Sequence, residues 1–274
     1  MSTTPAAAVS PLFLERYELK YLIPLSMVDP ICKFISGFCE MDYYSQISPD
    51  GYYTINSLYL DSPQLYFYRQ KEAGLANRFS MRIRSYGDEA KPPYFFETKY
   101  KVREFVKKKR GKVSVPNWPD LFTTPGLVSQ VDESSRSNVQ HFLDLAAIYN
   151  TEPQILTQYR RRAFLSTIDD YARVTFDRDL RYQPENTFNV IPDDRKLSHY
   201  DHPDSFLDPG NCVILELKCE RKIPVWLIDL IQHFELTRGN FSKYGNSMLT
   251  QYLSFFSADP IDLHPAEAFA PLSR

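Results

Sequence analysis

The chain has 274 residues, 43% of them hydrophobic and 24% charged, which is enough to bury a sizeable core. Its 32 Lys and Arg and 34 Asp and Glu give a formal net charge of -2, which argues against a uniformly basic nucleic-acid coat protein and an acidic disordered chain. The charge is segregated, because residues 78–112 contain 12 basic and 4 acidic side chains. That window carries +8 and the remainder of the chain carries -10.

The hydrophobic pattern predicts strands in the majority, with helices between them. The first half predicts a strand over 13–23, helical spacing over 31–38, a strand over 54–61 and a short helix from Ser62-Pro63 toward Lys71. Strands follow at 78–86, 94–101 and 102–115, and a helix at 139–146. The second half predicts strands over 155–165, 171–180 and 212–220, then helices over 227–234 and 248–256. An aromatic fraction of 15% also favours strands.

The organisation of the chain predicts one folded unit over 12–257, with flexible tails at 1–11 and 258–274. Loop-like stretches at 86–93, 116–125 and 183–210 do not separate two self-sufficient cores. The four cysteines show no spacing typical of zinc or redox sites. No apolar run approaches the roughly 20 residues needed to span a bilayer, and the N-terminus lacks signal-peptide features. We therefore expect a soluble, cytoplasmic protein.

The polar faces of at least five predicted strands carry Arg or Lys at every second position, with an occasional Glu. One explanation is an ordinary sheet whose polar face meets water. The other is functional, because cationic strands side by side repel one another across the ladder unless a polyanion lies between them. We therefore expect an α+β fold: a wide antiparallel β-barrel with a charged lumen, covered outside by several helices.

A series of short motifs runs in order through the predicted strands. They are RYELKY at 16–21, SLYLDSP at 57–63, RIRSYG at 82–87, ETK at 97–99, KKKR at 107–110, YRRRAF at 159–164, RVTFD at 173–177, LELK at 215–218 and FSKY at 241–244. Each motif alone is weak, but the ordered series covers nearly the whole predicted fold. The series resembles the VTC domain, which belongs to the CYTH / triphosphate-tunnel superfamily.

The resemblance implies a tunnel that binds triphosphate or polyphosphate. It also implies a polymerase that transfers the γ-phosphoryl group of ATP to a polyphosphate chain with Mn²⁺ or Mg²⁺. The implied phosphate-contacting residues are Lys20, Arg82, Arg84, Lys99, Arg161, Arg173 and Lys243, with Tyr159 and Ser242 as hydroxyl donors. Lys108, Arg110 and Lys218 are further candidates for substrate binding, and Glu216 and Glu18 are candidate metal ligands. Arg suits phosphate because its planar fork binds bidentately, and these metals need few protein carboxylates beside phosphate oxygens.

Several alternatives stay open from the sequence. Glu18 and Glu97 could bind metal or could instead pair with the cations of an empty tunnel. Either Lys108 and Arg110 or Lys107 and Lys109 could face the lumen. The same tunnel could belong to a tripolyphosphatase or nucleoside triphosphatase, or to a module that only binds polyphosphate. Nucleic-acid binding is disfavoured, because no stacking-aromatic pattern with a Gly-rich loop accompanies the charges. The oligomeric state is not indicated.

Overall fold

A single antiparallel sheet of ten strands organises the molecule. The computed structural model describes residues 16–102, 105–169, 171–199, 213–220, 222–239 and 241–257. The strands are β1 Arg16–Ile23, β2 Cys39–Met41, β3 Tyr53–Asp61, β4 Asn77–Tyr86, β5 Tyr94–Val102, β6 Phe105–Val113, β7 Glu152–Ser166, β8 Ala172–Pro184, β9 Ser198–His199 and β10 Val213–Glu220. Their order in the sheet is β1-β10-β8-β7-β3-β4-β5-β6, with β2 added to β7 and β9 added to β8.

Within the described residues, six α-helices pack against this sheet. They are α1 Val28–Ile35, α2 Tyr43–Ile47, α3 Tyr66–Glu72, α4 Glu133–Ile148, α5 Val225–His233 and α6 Lys243–Ser257. None of the helices in the described part of the chain is both long and apolar enough to cross a membrane.

The outer face of the sheet is apolar and is covered by α1, α4 and α5, as the alternation predicts. Ile31 of α1 and Leu227 of α5 belong to one buried cluster with Leu215 of β10. Helix α4 lies close to β6 at Gly111, where a Cβ atom would stand 3.0 Å from the backbone nitrogen of Val139. A larger residue at this position would therefore push the helix away from the sheet.

The opposite, inner face of the sheet carries apolar as well as charged residues. An apolar cluster on this face joins Tyr59 and Ile214 of the sheet to Tyr68 of α3 and Met248 of α6. Besides the helices that cover the outside, α3 and α6 therefore pack on the inner face, which the sequence did not predict. These two helices cover one end of the inner face, because the strands carry apolar rather than charged residues there.

The sheet is not closed into a barrel, which corrects the prediction from the sequence. Within the described residues, β1 and β6 end the strand order and no hydrogen-bonded strand pair joins them. Part of the free edge of β1 is already used, because Gly239 N donates to Lys20 O at 2.8 Å and Tyr21 bridges to Arg238. A side-chain contact joins β1 to β5, the strand next to the β6 edge, since Lys99 Nζ lies 2.9 Å from a Glu18 carboxylate oxygen.

The short helix after β3 begins later than the Ser62-Pro63 pair predicts. Leu65 has a left-handed backbone with φ 56°, so α3 begins at Tyr66. Asp61 binds the start of this helix, because its buried carboxylate accepts from the backbone nitrogens of Phe67 and Tyr68 at 2.8 and 2.9 Å. It also accepts from the hydroxyl of Tyr244 at 2.9 Å, which ties α6 to the end of β3.

Candidate active site

Charged side chains converge on the inner face of the sheet, and we call this set the basic face. Its members are linked by ion pairs, and basic side chains outnumber acidic ones two to one. The ten cations are Lys20, Arg82, Arg84, Lys99, Lys108, Arg110, Arg161, Arg173, Lys218 and Lys243, and the five carboxylates are Glu18, Asp42, Glu97, Asp177 and Glu216.

Strand register places the carboxylates opposite cations. Lys20 pairs with Glu216 and Glu18 with Lys218 between β1 and β10. Arg161 likewise stands opposite Asp177 between β7 and β8. Opposite charges in directly paired positions stabilise a sheet, whereas like charges there destabilise it. This register explains how an inner face that is rich in cations can hold together before any ligand binds.

The first concentration of charge is the Glu97 cluster on β4, β5 and β6, formed by Glu97, Arg82, Arg84, Lys108 and Arg110. Glu97 is 1% exposed, and its carboxylate lies 2.8 Å from Arg82 Nε and 2.5 Å from Lys108 Nζ. Arg110 and Arg84 approach it at 3.3 and 3.9 Å. Four basic side chains thus surround one carboxylate. Of the two alternative pairs on β6, Lys108 and Arg110 are the ones that face it.

The excess of basic over acidic side chains in the Glu97 cluster shifts the pKa values of Glu97 and Lys108. Burial opposes ionisation of Glu97, but Arg84, Arg82 and Lys108 outweigh it and hold the pKa of its carboxyl well below the usual range. Burial and the like charges of Arg84 and Arg82 lower the pKa of Lys108 to about 6, although Glu97 acts in the opposite direction. The cluster therefore has more positive charge than its carboxylate can balance.

The second concentration is the Glu216 cluster on β1, β5 and β10, formed by Glu18, Glu216, Lys20, Lys99 and Lys218. Lys218 Nζ lies 3.2 Å from Glu216, and Lys20 Nζ lies 3.2 Å from Glu18. The two carboxyl groups lie close enough to influence each other's pKa. Two carboxylates against three lysines make this cluster nearly balanced.

Both carboxyl groups of the Glu216 cluster are ionised at neutral pH. Burial raises the pKa of Glu216, but Lys218 and Lys20 bring it well below the usual range. Burial and the neighbouring Glu216 also raise the pKa of Glu18, and Lys99 and Lys20 more than offset them. Two adjacent ionised carboxylates are hard oxygen ligands of the kind that Mg²⁺ and Mn²⁺ prefer.

A third group links these clusters to helix α6. The carboxylate of Asp177 is fully buried and accepts from Arg161 Nε and Nη2 at 2.6 and 2.7 Å. It also accepts from Lys243 Nζ at 2.6 Å, at the first residue of α6. Arg161 Nη2 lies 3.8 Å from Glu216, which connects the group to the Glu216 cluster. A cation at a helix N-terminus is unfavourable by itself, and Asp177 offsets that cost.

Tyrosine side chains join the clusters. The hydroxyl of Tyr159 accepts from Arg84 Nη2 at 3.3 Å, and Lys243 Nζ lies 4.3 Å from the centre of its ring. The hydroxyl of Tyr59 accepts from Arg82 Nη1 at 3.2 Å. Burial raises the pKa of Tyr59, but Arg82 and Lys243 outweigh it and leave the pKa below its usual value.

Two residues of the predicted set lie at the margins. Arg173 donates to Asp42 Oδ2 at 3.0 Å, and the same carboxylate accepts from the backbone nitrogen of Ser45 and so caps α2. Ser242 lies just before α6, where its Oγ accepts from the backbone nitrogen of Gly245 at 3.1 Å. The Ser242 hydroxyl thus serves the helix in this structure, and its role as a phosphate donor stays a prediction.

The sequence missed three members of the site. Asp177 stands in the RVTFD motif at 173–177 and could have been found there, since its spacing from Arg173 puts both on one strand face. Tyr59 stands in the SLYLDSP motif at 57–63 and could likewise have been found from its motif. Asp42 meets Arg173 only through the fold, because 131 positions separate the two residues.

The donor set fits a divalent metal in one place. Among the described residues there is no group of three or more His, Cys, Asp or Glu side chains that could enclose an ion. Glu18 and Glu216 supply two adjacent carboxylates, and Mg²⁺-type sites often take only one or two of these and complete the shell with water and phosphate oxygens. The Glu216 cluster therefore fits a metal that arrives with a phosphorylated ligand.

Comparison with known proteins identifies relatives along most of the chain. The family model of the VTC domain matches residues 15–252. Vacuolar transporter chaperone complex subunit 4 of Trypanosoma brucei brucei (strain 927/4 GUTat10.1) is 25% identical over 295 residues, which cover 92% of this chain and 36% of that protein. The subunit of the same name from Trypanosoma cruzi (strain CL Brener) is 26% identical over 235 residues, covering 72% and 28%. The chain spans about a third of the length of these relatives.

Among solved structures, the PH1819 protein from Pyrococcus horikoshii OT3 aligns with 86% of this chain and 99% of its own, at 11% identity and a TM-score of 0.42. A likeness this distant carries no argument about function.

Proposed function

The chain belongs to the VTC domain family, and we propose that it is a polyphosphate polymerase-like phosphotransferase. In this proposal the basic face binds ATP and a polyphosphate chain, and the γ-phosphoryl group of ATP is transferred to the end of that chain. The observation that carries the proposal is the surplus of positive charge on the inner face. Ten cations and five carboxylates lie together there, although the whole chain has a net charge of -2.

The proposed reaction needs little covalent help from the protein. A terminal oxygen of the polyphosphate chain forms a new bond to the γ-phosphorus, and the bond from that phosphorus to the bridging oxygen of ADP breaks. Catalysis of such a transfer rests on aligning donor and acceptor and on neutralising charge on the transferred group. Arg82 and Arg84 can bind phosphate oxygens through their planar forks while Glu97 keeps its remaining partners.

Arg161 and Lys243 would hold the other side of the transferred phosphate. Arg161 and Lys243 are both fixed by the buried Asp177, so their positions are set before the ligand arrives. The Tyr159 hydroxyl, which accepts from Arg84, has a proton that it can donate to a phosphate oxygen. Preorganised donors of this kind stabilise developing charge without the cost of rearranging during the reaction.

Glu216 and Glu18 would hold a divalent metal, Mn²⁺ or Mg²⁺. When bound, such an ion neutralises phosphate charge and helps to orient the transferred group. Lys20, Lys99 and Lys218 have flexible stems, so they can turn from the carboxylates toward phosphate oxygens as the site fills.

Product analysis tests the proposal. Purified protein is incubated with ATP and Mn²⁺, and the products are separated on a polyacrylamide gel. A polyphosphate ladder is expected from the unchanged protein but not from Arg82→Ala. Arg160→Ala is the control and should also give a ladder, because the Arg160 side chain pairs with Asp50. Free phosphate without a ladder would indicate a triphosphatase instead of a polymerase. Binding of polyphosphate without turnover would leave a binding module, and neither binding nor turnover would overturn all three.

A further inference from the structure

Aromatic rings gather at the end of the inner face opposite α6, and we call this group the aromatic end. It consists of Tyr43, Tyr44, Tyr53, Tyr86 and Phe95. Tyr53 begins the inner-face pattern of β3, Tyr86 ends that of β4 and Phe95 begins that of β5. Tyr44 of α2 stacks on Tyr86 with an interplanar angle of 8° and ring centres 5.8 Å apart.

The aromatic end is continuous with the cations of the basic face. The Arg110 guanidinium lies 3.6 Å from the centre of the Phe95 ring and donates to the hydroxyl of Tyr86 at 3.1 Å. The same Arg110 reaches Glu97 at 3.3 Å. On the other side, the hydroxyl of Tyr53 donates at 3.2 Å to Asp42, which holds Arg173.

Part of this aromatic surface is open to solvent. Tyr43 is 67% exposed and Tyr44 is 48% exposed, both on the short helix α2. At the opposite end of the inner face, by contrast, Tyr59 of β3 and Tyr244 of α6 stack on each other and are buried. Exposed rings beside arginines form the kind of surface on which a flat, uncharged ring system stacks, with cation–π support.

The spacing along the strand suits one kind of ligand. Tyr86 follows Arg82 by four positions on β4, and at about 3.4 Å per residue the two lie ~14 Å apart along the strand. This distance is comparable with the reach of a nucleotide from its base to its terminal phosphate. A ligand with a planar ring at one end and a phosphate chain at the other would match both halves of the surface.

We propose that the aromatic end binds the nucleobase of a nucleoside triphosphate whose phosphates lie on the basic face. The proposal rests on the proposed function, because it presumes that a nucleotide is the phosphate donor. It adds a subsite that inorganic triphosphate does not use. Base stacking on an aromatic side chain contributes about 1–3 kcal/mol by alanine substitution, so its loss should weaken binding about 5-fold to 150-fold.

The test compares two ligands and two matched tyrosines by isothermal titration calorimetry. The ligands are ATP and inorganic tripolyphosphate, which share the triphosphate group but not the base. Tyr44→Ala removes the proposed platform. Tyr66→Ala is the control, because Tyr66 is 45% exposed on a short helix and stacks on Tyr149 with ring centres 5.6 Å apart. Tyr149 contacts Phe79, whose side chain points to the outer face of β4.

We expect Tyr44→Ala to weaken ATP binding at least 5-fold and to change tripolyphosphate binding by less than twofold. Tyr44→Phe should keep ATP binding, and Tyr66→Ala should leave both ligands unchanged. Equal weakening of both ligands, or no change with ATP, would overturn the nucleobase subsite and leave the proposed function standing. An unchanged protein that binds neither ligand would overturn the proposed function and this subsite with it.

Discussion

The Glu97 cluster and the Glu216 cluster are built from the same charges in different proportions. The first places three arginines and one lysine around a single carboxylate, whereas the second places three lysines around two. Arginine forks bind phosphate bidentately, and lysines are mobile point charges that can leave a carboxylate when another cation takes their place. In the proposed function, the first cluster would therefore bind phosphate and the second would hold a metal.

One lysine of each cluster shows a contrast in pKa, although burial also lowers the pKa of Lys218 in the Glu216 cluster. In the Glu97 cluster, burial and neighbouring arginines lower the pKa of Lys108 to about 6. In the Glu216 cluster, burial also lowers the pKa of Lys20, but Glu216 and Glu18 outweigh it and bring the pKa above its usual value. One cluster thus gains from an added anion, and the other is already close to neutral.

The largest expected effect comes from Glu216→Gln. The substitution keeps the shape of the side chain but removes half of the carboxylate pair, so Mn²⁺-dependent turnover of ATP should fall at least about 100-fold. Glu72→Gln is the control, because Glu72 is an exposed glutamate that pairs with Lys71 at 2.5 Å. Rates measured across Mn²⁺ concentrations check the prediction.

A competing explanation makes Glu216 only a counter-charge for the lysines. In that case Glu216→Gln would lower the melting temperature of the ligand-free protein and keep the metal-dependent rate. Unchanged turnover would remove Glu216 from the metal site.

A smaller effect, on stability, is expected from Glu97→Gln. Four basic side chains would lose their shared counter-charge, and we expect this to destabilise the ligand-free protein by roughly 3 kcal/mol. This is the lower end of the range for breaking a buried ion pair, because Lys108 and Arg110 are partly exposed. Added sulfate or tripolyphosphate should restore much of the melting temperature, because either anion supplies the missing charge. Thermal unfolding with and without the anion measures this, and failure of the anion to help would contradict a phosphate-binding role.

The same substitution has a pH signature. The folded-state pKa of Glu97 lies below its usual value, so the ionised carboxylate contributes stability above about pH 4. That contribution is lost as the pH falls through the folded-state pKa. We therefore expect the unchanged protein to lose more stability below pH 4 than Glu97→Gln does.

The smallest effect concerns Lys108. An amine with a pKa of about 6 is mostly neutral at pH 8, and bound phosphate favours its protonated form. Tripolyphosphate affinity should therefore rise as the pH falls from 8 to 6, by less than about tenfold. Lys108→Arg keeps the charge at all these pH values, so its affinity should change only as the ligand itself titrates. Parallel pH profiles for the two proteins would show that Lys108 does not titrate in this range.

The sequence was sufficient to predict the face of the sheet that carries the charges. Arg82, Arg84 and Glu97 follow strict alternation, and strand pleating fixes their side. The side chosen by Lys108 and Arg110 depended on the β5–β6 register, which pairs Arg110 with Glu97 and is decided by the hairpin rather than by β6 alone.

Features that depend on distant contacts were not predictable. Closure of the barrel depends on whether two edge strands pair, and Arg238 occupies part of the β1 edge from more than 200 positions away. The aromatic end shows the same limit, because Tyr44 and Tyr86 become neighbours only when α2 folds over the end of β4. Local periodicity contains no information on either contact.

The division between the two clusters is tested most directly by metal-free binding of tripolyphosphate to three variants, measured by calorimetry at one salt concentration. The two arginine variants are matched, because each leaves the paired carboxylate with another cation. Glu97 keeps Arg84 after Arg82→Ala, and Asp50 keeps Arg178 after Arg160→Ala. Arg82→Ala should weaken binding about 10-fold to 150-fold, the equivalent of charged hydrogen bonds of about 1.5–3 kcal/mol. Arg160→Ala should have no effect, and Glu216→Gln should bind equally or more tightly. Equal losses for both arginines, or a large loss for Glu216→Gln, would contradict the account.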